Sequence, residues 1–265
     1  MNRILFERSE IVDGVATFGG ERAEHVLNVL HGEVGQVLKT GEIDGRIGTS
    51  TIQSIDTTGP ARISVAVSHR EESLRPWVDL VLAPPRPRVM KRLLPQLVTL
   101  GVGKIVLVGA KKVEKDFWGA TLLKPENYRP LLVDGLMQAG TSILPTIELR
   151  RNFRKFVREE LDTMLPSPNR IVAHPYETKD ARPETGDRSQ STNRPIDQSN
   201  NRTIEHSNIS SLTLAIGPEG GWTDEEISLL EEHGFSRYSL GSRILRTDTA
   251  TIALLAQLML KLDVG

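Results

Sequence analysis

The sequence predicts a chain in two parts, a small β-rich unit followed by a larger α/β domain. Short β-leaning stretches, separated by glycine and proline turns, fill residues 1–70. From residue 74 onward, apolar strands alternate with segments of helical periodicity, which favours a mostly parallel sheet covered on both faces. A charged stretch at 68–76 ends in proline and is interpreted as the linker between the two parts.

The first part shows the pattern of a small β-barrel with one helix. Its β-leaning stretches lie at 3–6, 15–18, 34–39, 46–55 and 61–67. Between them, residues 21–30 place four apolar side chains at helical spacing, Ala23, Val26, Leu27 and Leu30. We therefore predict one amphipathic helix packed on a sheet in this part.

The second part contains five predicted strands and four predicted helices. The strands are placed at 78–83, 104–108, 170–174, 212–216 and 238–240, and the helices at 89–100, 127–139, 223–233 and 247–262. Pro95 is predicted to kink the first of these helices or to delay its start, because proline lacks a backbone donor. Residues 177–211 are nearly devoid of aliphatic side chains, which predicts a disordered insertion between two strands.

Composition excludes several classes of site and of partner. The 265 residues include no cysteine, so neither a disulfide nor a thiolate metal site is possible, and the six histidines show no close metal-ligand pair. The net charge of −1 argues against a protein that coats nucleic acid without specificity. The N-terminus resembles no signal peptide and no apolar run approaches the roughly 18 residues of a membrane span, so we expect a cytoplasmic protein without a metal.

A glycine-rich turn at 216–222 is the strongest candidate for a binding site. It reads IGPEGGW, follows an apolar strand and precedes a helix that Thr223 and Glu226 begin as a capping box. Glycines allow a ligand to approach the backbone closely, and amide donors are exposed where a helix begins. The alternative is a tight strand-to-helix turn without a ligand. No Gly-Lys-Ser/Thr follows, so this is not a P-loop.

A second motif, LGSRILRTDTA at 240–250, lies between the last predicted strand and the last helix. Gly241 permits a turn, and Thr247 or Asp248 is predicted to cap the helix. Arg243 and Arg246 stand three residues apart beside the helix start, where two guanidinium groups suit a phosphate or a carboxylate. The alternative is that one arginine only pairs with Glu219 or Asp248.

Together, the two motifs resemble the C-terminal signature of the RsmE-type family of SPOUT methyltransferases. The stretch His25–Gly35 and the positions Gln138, Gly140, Leu144 and Pro145 are similar to further family segments. The chain lacks the lysine and glutamate of one family stretch, and four positions have drifted: Pro95, Val98, Thr141 and His31. Most of the specificity lies in the last hundred residues.

The resemblance implies a fold, a cofactor and partners. It implies an N-terminal PUA-like barrel that binds RNA (1–70), a knotted SPOUT domain (74–265), S-adenosylmethionine as cofactor, a homodimer, and methylation of uridine N3 in small-subunit ribosomal RNA. Carried over by motif, the cofactor site consists of His174, Ile216, Gly217, Pro218, Glu219, Gly220, Gly221, Leu240, Gly241, Ile244, Leu245, Arg246 and Thr247.

Uridine N3 is a weak nucleophile until it loses its proton, and a cation near the carbonyl oxygens of the base favours that loss. Arg246 is the first candidate for this role and Arg243 the second. Two alternatives remain open, another acceptor such as a ribose 2′-hydroxyl, and a non-catalytic RNA-binding homologue. Three basic groups are candidates for RNA contact, although each is more often a solvated face: Arg86, Arg88, Lys91 and Arg92; Lys111, Lys112 and Lys115; Arg150, Arg151, Arg154, Lys155 and Arg158.

Overall fold

The computed structural model describes residues 3–174, 211–241 and 243–262 of the chain. Apart from Ser211, the predicted insertion at 177–211 lies outside these residues. The chain divides into two compact units that alternate along the sequence. Unit 1 comprises Met1–Pro76, Lys91–Gly103 and Thr121–Thr146, and unit 2 comprises Trp77–Met90, Lys104–Ala120 and Ile147–Gly265.

Unit 1 is built on a six-stranded sheet in the order β1-β4-β5-β6-β3-β2. Its strands are β1 (Ile4–Phe6), β2 (Ile11–Val12), β3 (Val15–Gly19), β4 (Val37–Glu42), β5 (Ile47–Asp56) and β6 (Arg62–Glu71). β1 runs parallel to β4, and the other neighbouring pairs are antiparallel. Among the described residues no pairing joins β1 to β2, so the predicted closed barrel is not confirmed.

The helix α1 (Gly20–Asn28) supplies one side of the core of unit 1. Ala23 and Val26 are three residues apart, so they share one face of the helix and are both fully buried. They belong to the same cluster as Phe6, Phe18 and Ile63 of the sheet. The predicted helix at 21–30 is therefore confirmed up to Asn28, with Ala23 and Val26 buried, whereas Leu30, which was predicted for the same face, lies beyond the helix end and is 38% exposed.

The predicted linker at 68–76 was wrong over its first four residues. β6 continues to Glu71, and His69 is paired with Gly48 in β5. Charged residues are compatible with this strand because an antiparallel sheet can expose one face to solvent. The strand continues because its backbone is paired, which the charge of the stretch does not reveal.

Unit 2 contains the second six-stranded sheet, in the order β12-β10-β11-β7-β8-β9. Its strands are β7 (Val78–Leu82), β8 (Val102–Val108), β9 (Thr146–Arg150), β10 (Arg170–Ala173), β11 (Leu212–Ile216) and β12 (Ser236–Tyr238). β10 runs parallel to both β11 and β12, and β11 runs parallel to β7. The carboxyl ends of β10, β11 and β12 therefore meet at one edge, and the α/β prediction is confirmed.

The longer helices after α1 are α2 (Pro87–Thr99), α3 (Pro125–Ala139), α6 (Asp224–Glu232) and α7 (Thr247–Leu262). Pro95 lies inside α2, which begins at Pro87, so the prediction of a later start was wrong. A Cβ atom at Gly135 of α3 would lie 2.6 Å from the carbonyl oxygen of Pro95. Glycine at 135 thus permits the close approach of the two helix backbones. Over the described part of the chain, none of the helices is long and apolar enough to span a bilayer.

Strand β9 and a short helical segment after it were missed by the sequence analysis. This segment contains α4 (Phe153–Lys155), a π-helical turn (Phe156–Glu160) and α5 (Leu161–Met164). Phe153, Phe156, Val157 and Leu161 are buried in the core of unit 2. Its basic residues are largely ion-paired, Arg150 with Glu148 and Glu160, Arg154 with Glu225, and Lys155 with Glu159.

Candidate functional site

A cavity of about 300 Å³ opens in unit 2 where β10, β11 and β12 end. The cavity is lined by His174 directly after β10, by the turn at 217–221 after β11, and by residues between β12 and the last helix. A crevice outside the carboxyl ends of parallel strands is where open α/β sheets place their ligands. The lining residues are Ala173, His174, Ile216, Gly217, Pro218, Glu219, Gly220, Gly221, Trp222, Tyr238, Ser239, Leu240, Gly241, Arg243, Ile244, Leu245, Thr247, Ala250 and Leu254.

The glycine loop after β11, residues 217–221, forms one wall of the cavity. The amide of Gly221 donates a hydrogen bond to the carbonyl oxygen of Pro218 (2.8 Å), which closes a tight turn. Gly221 has φ +72°, a value that favours glycine. The loop ends at Thr223, whose side chain caps α6 in the predicted capping box with Glu226. The sequence thus folds this loop locally, through turn and cap chemistry.

The loop after β8 donates two hydrogen bonds, one to the glycine loop and one to the start of α6. The Lys112 ammonium donates to the carbonyl oxygen of Gly220 (2.7 Å). The backbone amide of Lys111 donates to the carboxylate of Glu226 (2.7 Å), whose side chain is buried at the start of α6. The glycine loop is therefore held both from its own helix and from a neighbouring loop of unit 2.

Trp222 is a site residue that the sequence analysis did not select. Its side chain is only 5% exposed, packs on Phe153 with ring centroids 5.2 Å apart, and lines the cavity. A Cβ atom at Gly217 would lie 3.0 Å from Cδ1 and Nε1 of this indole, so a larger residue there would require the indole to shift by a few tenths of an ångström. The indole N–H is buried without a hydrogen-bond partner in the described part of the chain. Such an orphaned donor costs free energy unless a ligand or water satisfies it.

The loop between β12 and α7 forms the opposite wall. Gly241 has φ +118°, and the Ser239 hydroxyl accepts a hydrogen bond from its amide (3.1 Å). Thr247 is buried and is itself the first residue of α7. A capping residue would directly precede the helix, so Thr247 does not occupy the predicted cap position. The carboxylate of Asp248 accepts a hydrogen bond from the Thr249 amide (2.9 Å).

Arg243 and Arg246 differ in their placement. Arg243 lines the cavity, whereas Arg246 is not among the lining residues. Both side chains are exposed.

Every predicted cofactor residue except Arg246 lines this single cavity. The sequence analysis missed six lining residues: Ala173, Trp222, Tyr238, Ser239, Ala250 and Leu254. Three of them, Ala173, Trp222 and Ser239, directly precede or follow predicted site residues, and Tyr238 lies two residues before Leu240. Ala250 and Leu254 lie about one and two helical turns from Thr247, so helical periodicity could have indicated them. Tyr238 is held from below, because its hydroxyl donates to Gln257 (2.9 Å) and accepts from Lys261 (2.7 Å).

The chemistry of the walls suits a ligand that is partly apolar and partly polar. Apolar side chains of Ile216, Trp222, Leu240 and Leu254 contribute to the walls, and the loops add backbone amides and carbonyls. Formal charge in the lining is limited to Glu219 and Arg243, with His174 as a further titratable group. No group of side chains that could hold a metal ion occurs among the described residues.

Comparisons with known proteins agree with this architecture. The model of a family described as RNA methyltransferase domain matches residues 71–259. A protein of Treponema pallidum named ribosomal RNA small subunit methyltransferase E is 29% identical over 255 residues, which are 96% of this chain and 88% of that protein. A protein of the same name from Synechocystis is 27% identical over 262 residues, covering 97% of this chain and 76% of the relative.

A crystal structure shows the same fold. It is that of a ribosomal RNA small subunit methyltransferase E from Neisseria gonorrhoeae bound to S-adenosyl methionine, with a TM-score of 0.67 and 21% identity. The match covers 98% of this chain and 97% of that one. The family match spans the strands, the glycine loop and the second loop that build the cavity, so the resemblance noted in the motifs is confirmed, and the chain belongs to the RNA methyltransferase domain family.

Proposed function

We propose that the protein transfers a methyl group from S-adenosylmethionine to N3 of a uridine in small-subunit ribosomal RNA. The observation that carries the proposal is the single cavity of unit 2, which gathers two sequence motifs that lie about twenty residues apart. The relatives named above act on small-subunit ribosomal RNA by their names, and the Neisseria protein binds the same cofactor. A cytoplasmic location follows from this substrate.

The residues of the cavity fit such a cofactor. Gly217, Gly220 and Gly221 permit close backbone approach, and the apolar walls suit a flat adenine ring. The unsatisfied N–H of Trp222 is a donor without a protein partner in the described part of the chain. We assign adenine and ribose to the two loops at 217–221 and 240–247, with His174 at the end of β10 as a third contact.

The bound cofactor supplies an electrophilic methyl group on a sulfonium. The protein must hold the acceptor nitrogen in line with that methyl group, and it must favour loss of the N3 proton. Arg246, exposed beside the cavity, is assigned to the carbonyl oxygens of the base, where its positive charge stabilises the deprotonated uridine. Arg243 lines the cavity and is the second candidate. N3 lies on the Watson–Crick edge, so the target base must be unpaired or flipped out.

Three finer features belong to the same proposal. We expect residues 1–70 to act as a PUA-like RNA-binding domain and 74–265 as a knotted SPOUT domain. We expect a homodimer, because α7 carries more apolar side chains than one buried stripe needs, and Leu260 on it is 84% exposed.

The decisive test is methylation in vitro. Purified protein, S-adenosylmethionine and small ribosomal subunits from cells that lack this protein should yield N3-methyluridine, measured by mass spectrometry of the digested RNA. Detection of a 2′-O-methylated nucleoside instead would show that the acceptor is a ribose 2′-hydroxyl and not uridine N3. Binding of S-adenosylhomocysteine without any methylated product would favour a non-catalytic homologue, and the lack of binding in calorimetry would refute the cofactor assignment.

A further inference from the structure

A second, smaller cleft lies directly behind the glycine loop in unit 2. It is lined by Pro84, Pro85, Arg86, Lys112, Val113, Glu114, Phe117, Pro218 and Glu219. Pro218 and Glu219 line the first cavity as well, so these two residues form a wall shared by both. The cleft measures about 40 Å³ against about 300 Å³ for the cavity. Its size suits a compact charged group better than a nucleobase.

Two cations face this cleft, and both retain donors for a ligand. Arg86 forms an ion pair with Glu114 (3.1 Å) in which the two side chains are 65% and 62% exposed. Exposed pairs of this kind contribute only about 0–1 kcal/mol, so an arriving anion can displace Glu114 from the guanidinium. Lys112 uses one of its three ammonium protons on Gly220. Three more exposed cations lie nearby in the chain, Arg88, Lys111 and Lys115.

We infer that this cleft binds a backbone phosphate of the acceptor RNA strand, next to the nucleotide that is methylated. The inference rests on the proposed function. Methyl transfer requires the acceptor nitrogen to lie beside the methyl group of the cofactor. The acceptor strand must therefore pass close to the wall that separates the cleft from the larger cavity, which we call the donor cavity. A phosphate held by Arg86 and Lys112 behind that wall positions the strand, while specificity for the base comes from elsewhere.

The acidic residues at the cleft define how the site works. Glu114 forms an ion pair with the guanidinium of Arg86, and Glu219 contributes a carboxylate to the shared wall. A phosphate therefore competes with Glu114 for the same guanidinium, and removing the charge of Glu114 should strengthen RNA binding. An ordinary surface ion pair would show no such gain. The sign of the Glu114→Gln effect thus separates a phosphate site from a solvated face.

The experiment measures binding of a fluorescein-labelled single-stranded oligouridylate by anisotropy as a function of salt. We expect Arg86→Ala to weaken binding several-fold and to reduce the salt slope by about 0.7, as for one lost phosphate contact on a single strand. Glu114→Gln should strengthen binding. The matched control is Arg154→Ala, since Arg154 pairs with Glu225 at nearly the same exposure, 62% and 66%, but lines neither cavity.

The binding measurements on these variants decide the inference. Equal losses for Arg86→Ala and Arg154→Ala, or unchanged binding in both Arg86→Ala and Glu114→Gln, would overturn it. Calorimetry with S-adenosylhomocysteine runs on the same variants, and normal cofactor affinity in Arg86→Ala shows that the fold and the donor cavity are intact. If the unmodified protein binds no S-adenosylhomocysteine, the proposed function fails, whereas loss of the phosphate site alone leaves it standing.

Discussion

The ammonium of Lys112 lies 2.7 Å from the carbonyl oxygen of Gly220 and joins the loop after β8 to the glycine loop after β11. The methylene chain of Lys112 also fills the space beside Gly220, where a Cβ atom would lie 3.0 Å from Cδ of the lysine. Lys112 therefore fixes the orientation of a peptide group in the wall of the donor cavity. It reaches the phosphate cleft on the other side of that wall.

Lys112→Met should weaken cofactor binding while leaving the fold intact. Methionine keeps most of the apolar contact with Gly220 and removes the charged donor, and a charge-assisted hydrogen bond contributes about 1.5–3 kcal/mol at most, less where it is exposed. We expect a several-fold higher Kd for S-adenosylhomocysteine in calorimetry and an unchanged melting temperature. Lys115→Met is the control from the same loop, and an equal effect there would contradict a specific role for Lys112.

The glycines of the loop should differ in what alanine does to them. Alanine at 217 would press on the buried Trp222 indole, and alanine at 221 would need φ +72°, which costs about 1–2 kcal/mol. We expect Gly217→Ala to abolish measurable cofactor binding and Gly221→Ala to lower the melting temperature. Gly59→Ala is the control, because a Cβ atom there meets nothing within 4 Å. Unchanged affinity in Gly217→Ala would show that the indole yields easily.

Substitution of the two arginines should distinguish a role in cofactor binding from a role in methyl transfer. Arg243 lines the cavity and Arg246 does not, so we expect Arg243→Ala to raise the Kd of the cofactor. Arg246→Ala should leave that Kd nearly unchanged and lower kcat about 10²-fold or more, since it removes one stabilising donor of the transition state. Steady-state methylation of ribosomal subunits at saturating substrate measures kcat. A normal rate in Arg246→Ala would transfer the role to another residue.

A charged substitution should have different effects at the two leucines near the end of α7. Leu258 is 0% exposed within its own chain, whereas Leu260 is 84% exposed. Leu260→Glu should therefore yield monomers in light scattering without a loss of melting temperature, and Leu258→Glu should unfold the protein by burying an unpaired charge. Val12→Glu, at a site 64% exposed in unit 1, is the control. A monomeric unmodified protein would remove the homodimer from the proposal.

His69 should make stability depend on pH. Burial holds the pKa of His69 below its ordinary value of 6.5, and Arg3 adds to this while Glu42 opposes it. Nε2 is bonded to the Thr40 hydroxyl (2.8 Å), and Nδ1 is buried without a partner in the described residues, so the neutral ring is favoured. The unfolded chain therefore binds the proton more readily, and the stability that neutral His69 contributes is present above pH 6.5 and is lost as the pH falls below it.

Melting curves between pH 5.5 and 7.5 test this dependence. The melting temperature of the unmodified protein should fall toward pH 5.5, and that fall should be smaller in His69→Gln, which cannot titrate. The carboxyl groups of Glu10, Asp56 and Asp162 have lowered pKa values and stay ionised over this range. The same slope in both proteins would exclude His69 as the cause.

Local patterns in the sequence determined the longer helices, most of the strands and the two loops of the site. The capping box at Thr223 and Glu226 and the glycines at 217–221 act within a few residues, so periodicity and turn chemistry reveal them. The same patterns failed where backbone pairing overrides side-chain character. β6 continues through a charged stretch because β5 pairs with it.

Only the tertiary structure decided which of the predicted residues meet. The order β12-β10-β11 brings His174 together with two loops that are distant from it in the chain, and sequence spacing carries no information on strand order. The tertiary structure also placed Trp222 against Gly217, Lys112 against Gly220, and Glu114 beside Arg86. These contacts depend on non-local packing, in which each side chain is positioned by elements remote in sequence. The sequence by itself therefore determined the chemistry available at the site, and the fold determined its geometry.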